Sequence, residues 1–520
     1  MCLGAKAAVE MSILEIPADW MSGLTFVVAV SCIILIFTPK TEPIYGRFKR
    51  FRSAWLGDTP IHEVIENAYH EVRDKEPFVV SWWAKDYLIL PSKYLKDIKH
   101  GGWSQLSFYQ NISDAFNLHV SVGDLYSAPS AQRMPTIVQK GLNPHLAQIT
   151  PLIVEEIDLA FHSITKSSSE WQEVTAMPFF SEVAHRVAVR FLIGKELCRN
   201  EVFIKRSMSM LQSLFVSALL TVKLPLGRCR GFFAHPISLF HQWRLWQCTN
   251  MLLPVIKSRI ENNKAASNTE PELDSIQWTL DLFPETRCEF DRHRFAHELL
   301  HNLWAGSAAP GGMITEVLYQ LLLRPREFLA VKDEVERSHA EYDWSERMIN
   351  ALSLLDSFIR ETNRLFPTGS VTAARTVLEQ PFQFSDGLTL PIGTRIGFPG
   401  KAIQGAYTEL VEPETFNGRR FLTPKTNREP SDSAALPDQK RWAASSVDFS
   451  NLAWGYGNHV CPGRFFAVRL VKLVVASLVL NYEVKWNRDE DGSPPRVNIE
   501  GQFVPNMSQT ILLKRRRGNV

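Results

Sequence analysis

Trp454-Gly455-Tyr456-Gly457-Asn458-His459-Val460-Cys461-Pro462-Gly463-Arg464 is the stretch on which the reading of this chain turns. It runs into Arg464 to Leu480, where apolar residues recur at three- and four-residue spacing. The segment therefore predicts a glycine-rich loop that delivers a cysteine to a helix N-terminus. Pro462 suits the first helical turn, where an N–H has no intrahelical partner to lose. A sulfur placed there faces backbone N–H groups and the positive end of the helix dipole, and both favour the thiolate. A thiolate so held can ligate haem iron and push electron density toward it, favouring O–O cleavage. A small cysteine merely buried in a turn would require neither the flanking glycines nor the proline.

The rest of the chain must supply a body large enough for such a site. Its 520 residues include 57 basic and 55 acidic side chains, 45% hydrophobic and 11% aromatic residues, which excludes a disordered, collagen-like or disulfide-stapled protein. A net charge of +2 offers no basic stripe for nucleic acid. The seven cysteines (Cys2, Cys32, Cys198, Cys229, Cys248, Cys288 and Cys461) are odd in number and contain no CxxC pair, which points to a reducing compartment.

Helical periodicity is expected over Ile149 to Thr165, Ser181 to Leu192, Arg294 to Leu323, Ser345 to Phe366 and Arg464 to Leu480. Strands are expected at Phe78 to Trp82, Tyr87 to Leu90, Phe382 to Phe384, Arg395 to Phe398 and Tyr482 to Trp486. Three polar stretches, Glu261 to Asp274, Thr423 to Lys440 and Asn487 to Pro495, read as surface loops. The fold class is mainly α with a smaller β-rich part.

Near the start, Leu24 to Phe37 (LTFVVAVSCIILIF) lies within an uncharged run from Trp20 to Pro39. A membrane-spanning helix needs about 20 such residues. Glu10, Glu15 and Asp19 precede the run, unlike the basic start of a cleaved signal, and Lys40, Arg47, Lys49, Arg50 and Arg52 follow it. The positive-inside bias then predicts a single N-terminal transmembrane anchor at 1–39 and a cytosolic catalytic domain at 40–520.

The cysteine loop resembles the haem-binding signature of the cytochrome P450 family, Phe-x-x-Gly-x-x-x-Cys-x-Gly. Gly457, Cys461 and Gly463 match it, and Trp454 takes the Phe place, keeping an aromatic over the sulfur and retuning its hydrogen bonding. Glu361-Thr362-Asn363-Arg364 matches the family's Glu-x-x-Arg pair, and Pro413 to Phe421 resembles the segment whose arginine, here Arg420, completes a structural triad. What the resemblance implies is a P450 fold holding haem b, with Cys461 as the axial iron ligand. It also implies propionate contacts from Arg375 and His459, with Lys140, in a region lacking the family's usual tryptophan, as a third.

The resemblance further implies a monooxygenase that takes electrons from NADPH through a membrane-bound reductase, docked near Arg464, Arg469 and Lys472, with the anchor in the endoplasmic reticulum. The texture of the sequence is most similar to fungal members that oxidise terpenoid secondary metabolites. A lipophilic substrate suits the aromatic-rich stretch from Leu211 to Trp246, expected to be core helices with part of a membrane-dipping lid, and a loop at Gly501 to Asn506 reaching back into the pocket.

The distal helix departs from the family. Where members carry an acid and an alcohol that guide protons to the reacting oxygen, this chain has Ala305-Gly306-Ser307-Ala308-Ala309-Pro310. Ala308 and Ala309 hold no proton, and Pro310 is expected to kink or locally unwind the helix. Ser307 and Thr315 are nearby hydroxyls. Two chemistries remain open: an oxygenase in which water or a substrate hydroxyl fills the gap, and a haem-thiolate isomerase or dehydratase that has no need of the relay. The catalytic acid or base is not identified. His297-Glu298-Leu299-Leu300-His301 also fits HExxH, which on a helix sets two imidazoles on one face for zinc with Glu298 as base. No extension supplying a third ligand follows it. The competing reading is a pair of polar residues near the surface of the distal helix.

Overall fold

The expected periodicities become the helices Leu146–Thr165, Ala176–Leu192, Arg292–Leu322 and Arg464–Asn481. The computed structural model describes residues 43–52, 59–102, 105–127, 130–165, 170–224, 226, 229–264, 272–284, 291–407, 409–422, 441–488 and 492–516. The expected anchor and the loop at 423–440 lie outside these residues. No helix among the described residues is long and apolar enough to cross a membrane.

Arg464–Asn481 is buried from Phe466 through Leu480, so the helix that follows the cysteine loop runs through the middle of the core. Each fully buried valine or leucine there contributes about 1.5–3 kcal/mol, which ties the loop's position to the core. The distal helix, Arg292–Leu322, packs along Ala176–Leu192 at glycines: a Cβ on Gly311 would lie 2.6 Å from Ser181 Cα, and one on Gly306 would lie 2.6 Å from Leu192 Cδ1. These two contacts clamp the helix on either side of Pro310. The segment stays helical through the proline, so the local unwinding expected from its ring and missing N–H does not occur.

The stretch expected as one helix over Ser345 to Phe366 is two, Glu346–Ala351 and Ser353–Leu365. The break is stabilised from elsewhere in the chain, since the Glu334 carboxylate accepts the N–H groups of Leu354 (2.7 Å) and Leu355 (3.0 Å) at the new N-terminus. Asp274, expected on a surface loop, is instead fully buried. It caps Ser275–Leu282 through Gln277 N–H (2.9 Å) and pairs with Arg259 (2.8 Å).

The strands are β1 (Lys49–Arg50), β2 (Phe78–Trp82), β3 (Lys85–Ile89), β4 (Leu106–Ser107), β5 (Gln172–Thr175), β6 (Thr372–Val377), β7 (Phe382–Gln383), β8 (Thr389–Leu390), β9 (Arg395–Phe398), β10 (Tyr482–Trp486), β11 (Val497–Ile499), β12 (Gln502–Val504) and β13 (Thr510–Arg515). They form a six-stranded sheet in the order β1-β2-β3-β9-β6-β4, a three-stranded sheet β10-β13-β5 and the hairpins β11-β12 and β7-β8. The register of β6 on β9 shifts between Thr372 and Arg375, with Ala373 at φ 49°. Such a bulge re-aims the side chains beside it, here at Arg375. The architecture is mainly helical with smaller sheets.

Candidate haem-thiolate site

Two glycines shape the cysteine loop by taking the left-handed backbone, Gly455 at φ 79° and Gly457 at φ 71°. At Gly457 a side chain would also meet the backbone of the preceding wall, with Ile98 O and Lys99 Cα each 3.0 Å from an added Cβ. Asn458 donates to the Gly101 carbonyl (2.9 Å), and Cys461 N–H closes the loop on the Trp454 carbonyl (2.8 Å). The Cys461 sulfur faces the N–H groups of Gly463 and Arg464, as the sequence predicts. Burial outweighs these amides and the Arg464 charge and pushes the thiol up from its ordinary value, so the loop alone does not favour the thiolate. The Trp454 indole N–H donates to the Ala444 carbonyl (2.8 Å) and is committed there, which corrects the expectation that it retunes the sulfur's hydrogen bonding.

Arg375 is buried beside this loop. Its guanidinium donates to the carbonyls of Ala374 (2.7 Å) and Tyr456 (3.1 Å) and lies over the Phe108 ring. No carboxylate pairs with it among the described residues, and burial pulls its pKa down to about 9. His459 sits next to it, in ring contact with Phe108 and Tyr109. Burial and the Arg375 charge lower its pKa to about 3, so the imidazole is a neutral hydrogen-bonding group. Tyr109 was not legible in the sequence. It is close enough to Cys461 and Arg375 for both to act on its hydroxyl. Lys140 is exposed on the helical turn Ile137–Leu142, and the buried cation of that region is Arg133, which is paired with Glu298.

On the distal helix, Ala305, Ala308 and Ala309 are exposed, whereas the helix is buried from Pro310 to Leu321. The nearby hydroxyls do not fill the gap they leave. Ser307 Oγ donates to the Leu303 carbonyl (2.7 Å) and joins a buried chain with His185 Nδ1 (3.0 Å), whose Nε2 reaches Ser207 (2.8 Å). Thr315 Oγ1 donates to the Gly311 carbonyl (2.8 Å). The loop after β12 does reach the distal helix. Pro505 Cδ lies 3.7 Å from the position a Cβ would take on Gly312, and Tyr319 donates to the Asn506 carbonyl (3.2 Å).

The HExxH match has a different use. Glu298 is fully buried and accepts from Arg133 Nε (2.8 Å) and Nη2 (2.5 Å), as well as from Ser130. His301 is buried against Tyr126 (Nδ1 to Oη, 3.1 Å). Among the described residues no group of three histidines, cysteines or acids is placed to hold a metal ion. A carboxylate locked in a buried ion pair is not a free general base, and neither Glu298 nor His301 is near the surface as the competing reading supposed.

The Glu-x-x-Arg pair is fully buried. Glu361 accepts from Arg364 Nε (2.8 Å) and Nη2 (2.9 Å), from Arg420 Nε (3.0 Å) and from Asn417 N–H (3.0 Å). Arg420 extends the network to the carbonyls of Glu412 (3.0 Å) and Thr415 (2.6 Å). Arg360, one residue before the pair, is also buried. It binds the carbonyls of Arg441 (3.0 Å) and Ala443 (3.1 Å), together with Asp448 (2.7 Å) and Ser450 (2.8 Å), on the approach to the cysteine loop.

Two of the expected docking cations are not available to a partner. Arg469 is buried on Glu346 (2.5 Å), and Lys472 is buried on Asp356 (2.8 Å), because the Arg464–Asn481 helix is interior on every side. Lys472→Gln is therefore expected to lower stability by about 1–3 kcal/mol. The ionic-strength dependence of reduction by a reductase should stay unchanged, which thermal unfolding and stopped-flow reduction check together.

A buried guanidinium without a carboxylate among the described residues, beside a loop whose sulfur faces two amides, fits a haem whose propionates Arg375 and His459 would hold. The fold and this arrangement define a haem-thiolate protein. The cytochrome P450 family model matches residues 129–511, and the chain belongs to that family. It is similar to the cytochrome P450 monooxygenase sirB of Leptosphaeria maculans, 33% identical over 474 residues that cover 90% of this chain and 89% of the relative. The cytochrome P450 monooxygenase penP of Penicillium crustosum is 27% identical over 90% of this chain and 89% of its own length. Ent-kaurene oxidase of Gibberella intermedia is 26% identical over 90% of this chain and 85% of its own length. The protein is a P450 monooxygenase, an oxidoreductase of the kind that works with a reductase partner and a small-molecule substrate. Of the two chemistries left open by the distal alanines, the relatives support the oxygenase.

Proposed function

We propose that this monooxygenase oxidises a lipophilic, terpenoid-like intermediate of secondary metabolism, with Cys461 as the residue that would ligate the haem iron and Arg375 and His459 as those that would hold its propionates. The observation that carries the substrate class is similarity over nine-tenths of the chain to an enzyme named for ent-kaurene, joined to the exposed alanines 305, 308 and 309 of the distal helix. Haem supplies the activation of dioxygen and its thiolate ligand tunes it. The chain's own residues do the rest. Gly463 and Arg464 amides orient the sulfur, Arg375 would neutralise a propionate, and the exposed Ala305, Ala308 and Ala309 would leave room for an apolar skeleton. Protons pass through water or a substrate hydroxyl at the alanine gap, since Ser307 and Thr315 are turned away.

Residues 1–39 anchor the protein to the endoplasmic reticulum membrane, with 40–520 in the cytosol and electrons arriving from NADPH through a reductase. Support for contact with the bilayer comes from the Arg230–Lys264 helix, on which Phe232, Phe233, Leu239, Phe240, Trp243 and Trp246 are exposed. Leu211 and Leu214, from the same aromatic-rich stretch of sequence, are core residues.

Membranes containing this protein and a reductase, given NADPH, heavy-isotope dioxygen and diterpene intermediates, are expected to yield a labelled product only when NADPH is present. An unlabelled product of unchanged mass that forms without NADPH would overturn the proposal in favour of an isomerase.

A further inference from the structure

The two amides that face the Cys461 sulfur are backed differently. Each N–H belongs to a planar peptide unit whose other end is the carbonyl of the residue before it. The Arg464 N–H shares its unit with the Gly463 carbonyl, which accepts from Ala467 N–H (2.9 Å) in the first turn of the Arg464–Asn481 helix. The Gly463 N–H shares its unit with the Pro462 carbonyl, which lies ahead of that helix. Its donor comes from 319 residues away in sequence: Asn143 Nδ2 reaches the Pro462 oxygen at 3.0 Å. Among the described residues this carbonyl has no other donor, and the Gly463 N–H gives its hydrogen to no backbone carbonyl. A carbonyl only accepts, so the Asn143 amide must present its nitrogen there.

The turn that carries Asn143 is held from both sides. It follows the π-helical turn Ile137–Leu142, where Val138 Cγ1 lies 4.0 Å from the position a Cβ would take on Gly463. Two residues before Asn143, a Cβ on Gly141 would lie 2.7 Å from Trp278 Cβ. Two residues after it, His145 stacks on the Trp278 ring (5.4 Å between centroids, 15° between planes), and its Nδ1 donates to the Gly141 carbonyl (2.6 Å). Asn143 is thus fixed between two residues pinned to one indole.

A bond that merely tied this turn to the cysteine loop could end on any carbonyl. This one ends on the peptide that carries the sulfur's amide. Because the unit is planar, holding its oxygen aims its N–H, and a hydrogen bond accepted at the oxygen strengthens the one donated at the nitrogen by about 10–30%.

We propose that Asn143 is a positioning residue for the iron ligand: by holding the Pro462 carbonyl it aims and strengthens the Gly463 N–H toward the Cys461 sulfur, and so sets how strongly that sulfur would donate to iron. It acts through the peptide alone. This rests on Cys461 as the iron ligand. The sign follows from charge. Reduction of the iron adds an electron, which amide hydrogen bonds at the sulfur stabilise, so weakening one of them lowers the potential.

The test uses the full-length holoprotein, with a redox titration of the haem and the infrared C–O stretch of the reduced carbon monoxide complex as measures. Asn143→Leu, similar in size but without a donor, is expected to shift the reduction equilibrium about threefold toward the oxidised form, which is about 30 mV at 59 mV per tenfold. The C–O stretch should move to lower frequency, because a sulfur less restrained by its amide donates more. Asn143→Ala is expected to match it, which separates loss of the donor from the shape of leucine. Asn143→Gln keeps an amide N–H and is expected to bring both measures more than halfway back to wild type. Wild-type values of potential and stretch in both donor-free variants, at whatever thermal stability, overturn the proposal and leave Asn143 a tie between two segments. A shift that Asn143→Gln does not reverse overturns it too. A wild-type carbon monoxide complex without the thiolate-type spectrum overturns the Cys461 assignment as well.

Discussion

Cys461→Ser is expected to lose the thiolate-type spectrum of the reduced carbon monoxide complex and to form no product above background. The backbone of the loop should survive, because Gly455 and Gly457 set its course and the Cys461 N–H, not its sulfur, closes it on Trp454. What changes is the ligand. In its buried position even the cysteine thiol is pushed up by desolvation, against the pull of the Gly463 and Arg464 amides, and a serine hydroxyl starts far higher still. A bound metal deprotonates a thiol outright, a step a hydroxyl resists. Losing a supporting partner of a metal ligand costs about 10–100-fold in affinity or activity, so losing the ligand itself is expected to cost more. Difference spectra of the reduced, carbon monoxide-treated variant check this, and a spectrum identical to wild type would remove Cys461 from its assigned role.

Glu361→Ala is expected to have the largest effect on folding. The carboxylate is fully buried and receives both arginines of the triad, and its removal strands Arg364, itself fully buried, as an uncompensated charge. Breaking one partner out of a buried ion pair costs about 3–5 kcal/mol. Set against a total stability of about 5–15 kcal/mol, that is enough to deplete the folded state. The damage is also directed at the haem side. Arg364 holds the Gln404 carbonyl (3.1 Å), and Gln404 in turn receives the Leu452 N–H two residues before Trp454. Haem content and the unfolding midpoint should fall together. Wild-type values for both would show that the triad does not brace the loop.

The contrast between Glu361 and its neighbours shows where a reading of sequence stops. Glu361 and Arg364 were legible because three-residue spacing on a helix brings two side chains together whatever the rest of the fold does. The cysteine loop was legible for a similar reason, as glycine, proline and cysteine act on the backbone within a few residues. Arg360 was not, since its partners Arg441 and Ala443 lie more than 80 residues away and the contact is made by tertiary structure alone. Tyr109 had no local signal either. Arg469 and Lys472 misled in the opposite direction. Charged residues in a helix suggest a solvated face, yet both are interior and paired with Glu346 and Asp356. HExxH misled because a motif records spacing, whereas zinc needs open ligands, and Glu298 was already taken by Arg133.

The amino-acid sequence by itself determined the class of this protein, its main helices and strands, the cysteine at a helix N-terminus and the absence of an acid and alcohol on the distal helix, all of which depend on spacing within about a dozen residues. Tertiary structure alone decided which polar groups are free. It turned Ser307 toward His185, closed Glu298 on Arg133, and kept the Pro310 helix continuous between Ser181 and Leu192. The physical reason is that burial and partnership are properties of packing. A side chain's proton, charge and availability are set by neighbours that the chain brings together only after it has folded.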